Sequence, residues 1–134
     1  MFKRLITAFI LFIFPISTLA HSPLEQASPM NGAVLRTPPN EYKIRFKSPA
    51  KLIKFEIFQK SQNAKKKVSL LKNIFKKSEE KLVRLNYKPS LALSKSHSIK
   101  LPEIKFGSYE VRWRAMGEDG HVLKGILTFE IKGK

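Results

Sequence analysis

The sequence predicts an all-β domain: an antiparallel β-sandwich or Greek-key barrel of about seven strands. Two observations carry this expectation. Apolar and polar residues alternate with period two along most of the chain, and clusters of Gly, Pro, Asn and Asp interrupt the alternation at short intervals. Each alternating run has one greasy face, and a single sheet cannot cover it, so a second sheet must lie against the first.

The chain opens differently. Lys3 and Arg4 give a positive start, and Leu5 to Ile16 are apolar apart from Thr7 and Pro15. Ser17-Thr18-Leu19-Ala20 then supplies the small residues that an export peptidase reads. The rival reading is an uncleaved anchor, but the apolar run falls short of the roughly 20 residues that span a bilayer, and Pro15 breaks it. Residues 1–20 are therefore expected to be a cleaved signal peptide, with one soluble domain over 21–134.

Within that domain, Tyr42, Ile44 and Phe46 alternate with Lys43, Arg45 and Lys47, and Ile53, Phe55 and Ile57 follow with Lys54 and Glu56 between them. Val83, Leu85 and Tyr87 repeat the pattern, as do Tyr109, Val111, Trp113 and Ala115 against Glu110, Arg112 and Arg114. The last run, Val122 to Ile131, puts Leu123, Leu127, Phe129 and Ile131 on one face. Ser28–Gly32, Thr37–Asn40, Phe106-Gly107 and Gly117–Gly120 are the breakers. Lys67–Lys77 fits a helical stripe, a short strand or an irregular connection equally well.

Composition narrows the chemistry. The chain has no cysteine, which removes disulfides, thiolate metal sites, cysteine catalysis and a lipid-attachment cysteine. Beyond the signal only Met30 and Met116 remain of the methionines, so no soft Cu(I) site is built in. The net charge is +16; without Lys3 and Arg4, 24 basic residues face 10 acidic ones, leaving +14. Such a balance invites nucleic acid. Nearly every lysine, however, sits between apolar residues of strand-like runs or in the loop Gln59–Lys81, and nucleic-acid motifs are missing. A solvated basic face is the better reading, with weak contact to anionic lipid or polysaccharide.

Three histidines exist, His21, His97 and His121, and Asp119 is the only aspartate. Asp119 stands two residues before His121, so in an extended or bulged segment both face one point. His21 follows Ala20 directly, and cleavage there gives one residue both a free amine and an imidazole. With His121 this makes three nitrogens in a T, an arrangement suited to tetragonal Cu(II). Asp119 serves there either as an oxygen ligand or by orienting His121. His97, in Ser94–Ser98, reads as a surface histidine, Trp113 as core and Glu118 as a solvated loop carboxylate. Side-chain catalysis has little to work with: no serine sits in a nucleophile elbow, and adjacent Glu118 and Asp119 do not form the opposed pair of glycoside hydrolysis.

Three blocks then stand in order: His21 with Ala27-Ser28-Pro29-Met30-Asn31-Gly32-Ala33-Val34-Leu35; the proline-rich turn into Tyr42–Phe46; and Phe106–Ala115 with Asp119-Gly120-His121-Val122-Leu123-Lys124-Gly125, closing on Leu127–Ile131. Together they resemble the CopC family of exported copper-binding proteins over nearly all of 21–132. The resemblance implies a seven-stranded Ig-like or cupredoxin-like Greek-key sandwich in the periplasm. It also implies Cu(II) held through His21, Asp119 and His121, and a part in copper resistance or uptake beside an inner-membrane protein of the CopD type. The family's acidic residue after the strand equivalent to Phe46 is absent here, where the chain reads Lys47-Ser48-Pro49. The methionine-rich Cu(I) segment of some members is missing too, so a single Cu(II)-type site is expected.

The leading expectation is thus a protein that sequesters or hands on Cu(II) without catalysis and without nucleic acid. The alternatives are a copper-dependent redox enzyme of the histidine-brace type, and a basic structural sandwich binding anionic envelope polymers.

Overall fold

A computed structural model describes residues 23–61, 80–89 and 92–133. The signal segment 1–20, His21 and the ambiguous stretch 67–77 lie outside the described residues.

The described chain is built of strands: β1 (Leu24–Ser28), β2 (Ala33–Leu35), β3 (Glu41–Lys60), β4 (Glu80–Val83), β5 (Ser94–Lys100), β6 (Gly107–Gly117) and β7 (Val122–Ile131). The runs around Tyr42–Phe46 and Ile53–Ile57, separate in the sequence reading, are the two halves of β3, which is 20 residues long. Its first half pairs antiparallel with β1 and β5. Its second half pairs antiparallel with β4 and β6, and the sheet continues through β7 to β2. The β3–β5 register jumps between Arg45 and Ala50, where Lys47-Ser48-Pro49 turns the strand from one layer into the other. The sheet thereby curls over itself into a sandwich.

The core lies between the layers, and ring contacts show the closure. Tyr42, from the first half of β3, packs at 5.3 Å on Phe55 and 5.9 Å on Phe129. Phe46 stands edge-on to Trp113 at 5.3 Å. Trp113 is buried, as its place on an alternating strand predicts. Its indole occupies the space opposite Gly125, where an added Cβ would fall 2.6 Å from Cζ2. Tyr109 anchors the entry to β6 by donating its hydroxyl hydrogen to the Lys105 carbonyl at 2.6 Å.

Four expectations need correction. The sandwich is not wholly antiparallel, since β2 runs parallel to β7. Ile53 does not share the face of Phe55: a bulge between Leu52 and Lys54 inserts one residue, so Leu52 is the buried partner and Ile53 only half-buried. The run through Leu85 and Tyr87 stops being a strand at Val83, although both side chains still pack on the core and the Tyr87 hydroxyl donates to the Leu52 carbonyl at 2.8 Å. Ser94–Ser98, the expected setting of a surface histidine, belongs to strand β5; only Ile99 in that strand is fully buried, which leaves the alternation too thin to see.

Candidate metal centre

Gly117–His121 connects β6 to β7. Gly117 N–H donates to the His121 carbonyl at 2.9 Å and Gly120 N–H to the Gly117 carbonyl at 3.0 Å, closing the turn. Gly120 supplies the left-handed residue, at φ 81°, that a side chain would strain. Asp119 and His121 do meet, but through this turn rather than through an extended segment. Asp119 Oδ1 accepts the His121 backbone N–H at 3.0 Å, and Oδ2 lies 2.8 Å from His121 Nδ1.

These contacts set the electrostatics. The hydrogen bonds from the His121 backbone and then its ring hold the Asp119 carboxyl below the usual aspartate range, so it is ionised at neutral pH. Both side chains are open to solvent, His121 at 82% and Asp119 at 69% exposure. With Nδ1 engaged, Nε2 is the nitrogen left to face an incoming cation. A carboxylate that orients a ring from behind in this way also raises its basicity as a ligand.

Among the described residues no third His, Asp, Glu or Cys joins the pair to make a metal cluster. The fold also brings Pro23 to this end. Lys47 N–H donates to the Pro23 carbonyl at 3.0 Å, and Ala50, three residues on, pairs with Gly117. From Lys47 to Ala50 the chain spans at most about 10 Å.

His97 is not the surface histidine the sequence suggests. It is half-buried, its Nε2 lies 2.9 Å from the Ala50 carbonyl and 3.1 Å from the Ser94 carbonyl, and its ring stands edge-on to Phe46. Two carbonyl acceptors at one nitrogen require that nitrogen to carry the hydrogen. His97 thus ties β5 to the bend of β3, beside the Ala50–Gly117 pair. Glu118 is exposed, as expected of a loop carboxylate.

A β-sandwich with an imidazole–carboxylate pair on a hairpin at one end is the class of domain these features define. A family model for the CopC domain matches residues 24–132, and the chain belongs to the CopC family. Comparison with curated proteins gives no match. Among solved structures, the chain is similar to CopC from Methylosinus trichosporium OB3b, with a TM-score of 0.58 and 23% identity over 84% of this chain and 95% of that one. It is also similar to PcoC, a methionine-rich copper resistance protein from Escherichia coli, with a TM-score of 0.59 and 20% identity over 84% and 100%. At these identities the likeness is one of fold.

Proposed function

We propose that this protein binds Cu(II) and sequesters it or passes it on, without catalysis, in copper resistance or homeostasis. The observation that carries the reading is the Asp119–His121 pair, with Nδ1 held at 2.8 Å and Nε2 left open. Family membership supports copper as the ion, and the solved relatives are a CopC and a copper resistance protein.

His21 completes the donor set. Once the signal 1–20 is removed, its amine and imidazole chelate the ion from one residue and His121 adds a third nitrogen. Three nitrogens suit Cu(II), which also heads the divalent affinity series. Asp119 orients His121 and contributes a negative charge beside the cation. The protein works in the periplasm, and a CopD-type inner-membrane protein is its partner in moving copper.

The test compares the chain beginning at His21 with one carrying a single extra residue ahead of it. Titration with Cu(II) gives tight one-to-one binding for the first and a collapse by orders of magnitude for the second, because the terminal amine is lost. Equal affinity for both overturns the assignment of His21.

A further inference from the structure

On the outer face of β3, β6 and β7, three cations stand in one cross-strand row. Lys54 pairs with Arg114, and Arg114 with Lys124. Neighbouring strands lie about 4.8 Å apart, and like charges directly opposite one another destabilise a sheet. Ordinarily carboxylates relieve such a row. Here Glu56 is engaged by Lys54 at 3.0 Å, while Glu80 and Glu110 are taken by Lys60 and Arg112. Among the described residues neither Arg114 nor Lys124 has an ion-pair partner.

The same face carries apolar groups that the fold does not cover. Val122 and Ile126 flank Lys124 on β7, each two residues away and therefore on its side of the sheet. Val122 is 55% exposed and Ile126 61%. Val122 pairs with Met116 at the mouth of the hairpin, and Ile126 with Arg112. Lys54, Arg112, Arg114 and Lys124, with Ile126 and the carboxylate Glu56 that Lys54 engages, line a shallow depression over the three strands.

We infer that this face docks the domain on an anionic phospholipid surface. Arg114 and Lys124, the two cations of the row without an ion-pair partner among the described residues, meet lipid phosphates, and Val122 and Ile126 enter the boundary between headgroups and acyl chains. A soluble anion or polymer would satisfy the cations but gives the two aliphatic side chains nothing to enter, which is why lipid is the occupant. The face runs up to the Gly117–His121 turn, so docking holds that turn beside the membrane. Nothing in this inference depends on copper, and the test is run without metal.

The test protein begins at His21 and retains all seven strands. Metal-free protein is sedimented with vesicles of phosphatidylcholine alone or mixed with phosphatidylglycerol. Binding is expected only to the mixed vesicles and to weaken with salt. Arg114→Gln with Lys124→Gln lowers it by about 30-fold, whereas Lys100→Gln with Lys105→Gln, the same charge removed elsewhere, leaves it nearly unchanged. Ile126→Ser weakens vesicle binding but not binding to dextran sulfate. Thermal unfolding of each variant establishes that it is folded. Equal losses from the two charge pairs, equal binding to neutral vesicles, or indifference to Ile126→Ser would each overturn the inference.

Discussion

Asp119 grips His121 twice, its Oδ1 on the backbone N–H at 3.0 Å and its Oδ2 at 2.8 Å from ring Nδ1. One carboxylate thus fixes both the position and the orientation of a ring that is otherwise surrounded by water. If Asp119 acts through His121, its removal should weaken Cu(II) binding by about 10–100-fold, with Asp119→Asn nearer the lower end because it keeps an acceptor for the ring. His121→Ala should weaken binding further still. Competition titration against a chelator of known affinity measures both, and His121→Ala binding no more weakly than Asp119→Ala would reverse the roles.

His97→Ala should leave copper affinity unchanged while lowering stability. The Ala50 and Ser94 carbonyls would lose their shared donor in a half-buried place, at a cost of about 1–3 kcal/mol. Urea denaturation reads the loss, and a matching fall in copper affinity would instead place His97 in the metal centre.

Tyr42 is fully buried, its hydroxyl has no partner among the described residues, and burial pushes the phenol well above its usual range. Tyr42→Phe keeps the ring contacts with Phe55 and Phe129 and removes the orphaned group. Denaturation should show a gain of about 1 kcal/mol, and a comparable loss would mean that the hydroxyl is satisfied after all.

Lys60, Glu80, Glu110 and Arg112 form a network joining β3, β4 and β6, with the Arg112 guanidinium 4.2 Å above the Phe58 ring. The hydrogen bond from Lys60 leads in holding Glu80 and Glu110 below the usual glutamate range, with Arg112 adding to it. The stabilisation is therefore present above the unfolded value of about 4.3 and lost as pH falls through the lower folded values. Lys60 is shifted upward, chiefly by Glu110, so its share is complete below about pH 10.4 and lost as pH rises beyond that. Melting temperature against pH should fall at the acid end, and Glu110→Gln should flatten that fall. An unchanged acid limb would show that the network adds nothing.

The sequence made some of this legible and hid the rest for physical reasons. Tyr42–Phe46, Tyr109–Ala115 and Leu127–Ile131 alternate cleanly because one face of each is core and the other water. Asp119 and His121 were legible because a glycine-flanked turn brings near neighbours together. β5 was not, because its serines and lysines leave Ile99 as its one fully buried residue. The bulge at Ile53 was hidden, since an inserted residue shifts the faces without altering composition. Likewise, Lys54, Arg114 and Lys124 become one row only through register, which no local pattern records.

β3 belongs to both layers, and its shared membership has a thermodynamic consequence. The layers cannot part without exposing the core that both halves of β3 bury, so partial opening across the sandwich is disfavoured. Amide hydrogen exchange at Ile44 and Ile57, in opposite halves of β3, should therefore report the same free energy of opening, that of global unfolding. Because Pro23 and Gly117 both hang on β3, through Lys47 and Ala50, the separation between Pro23 and the His121 hairpin is as stiff as the fold itself.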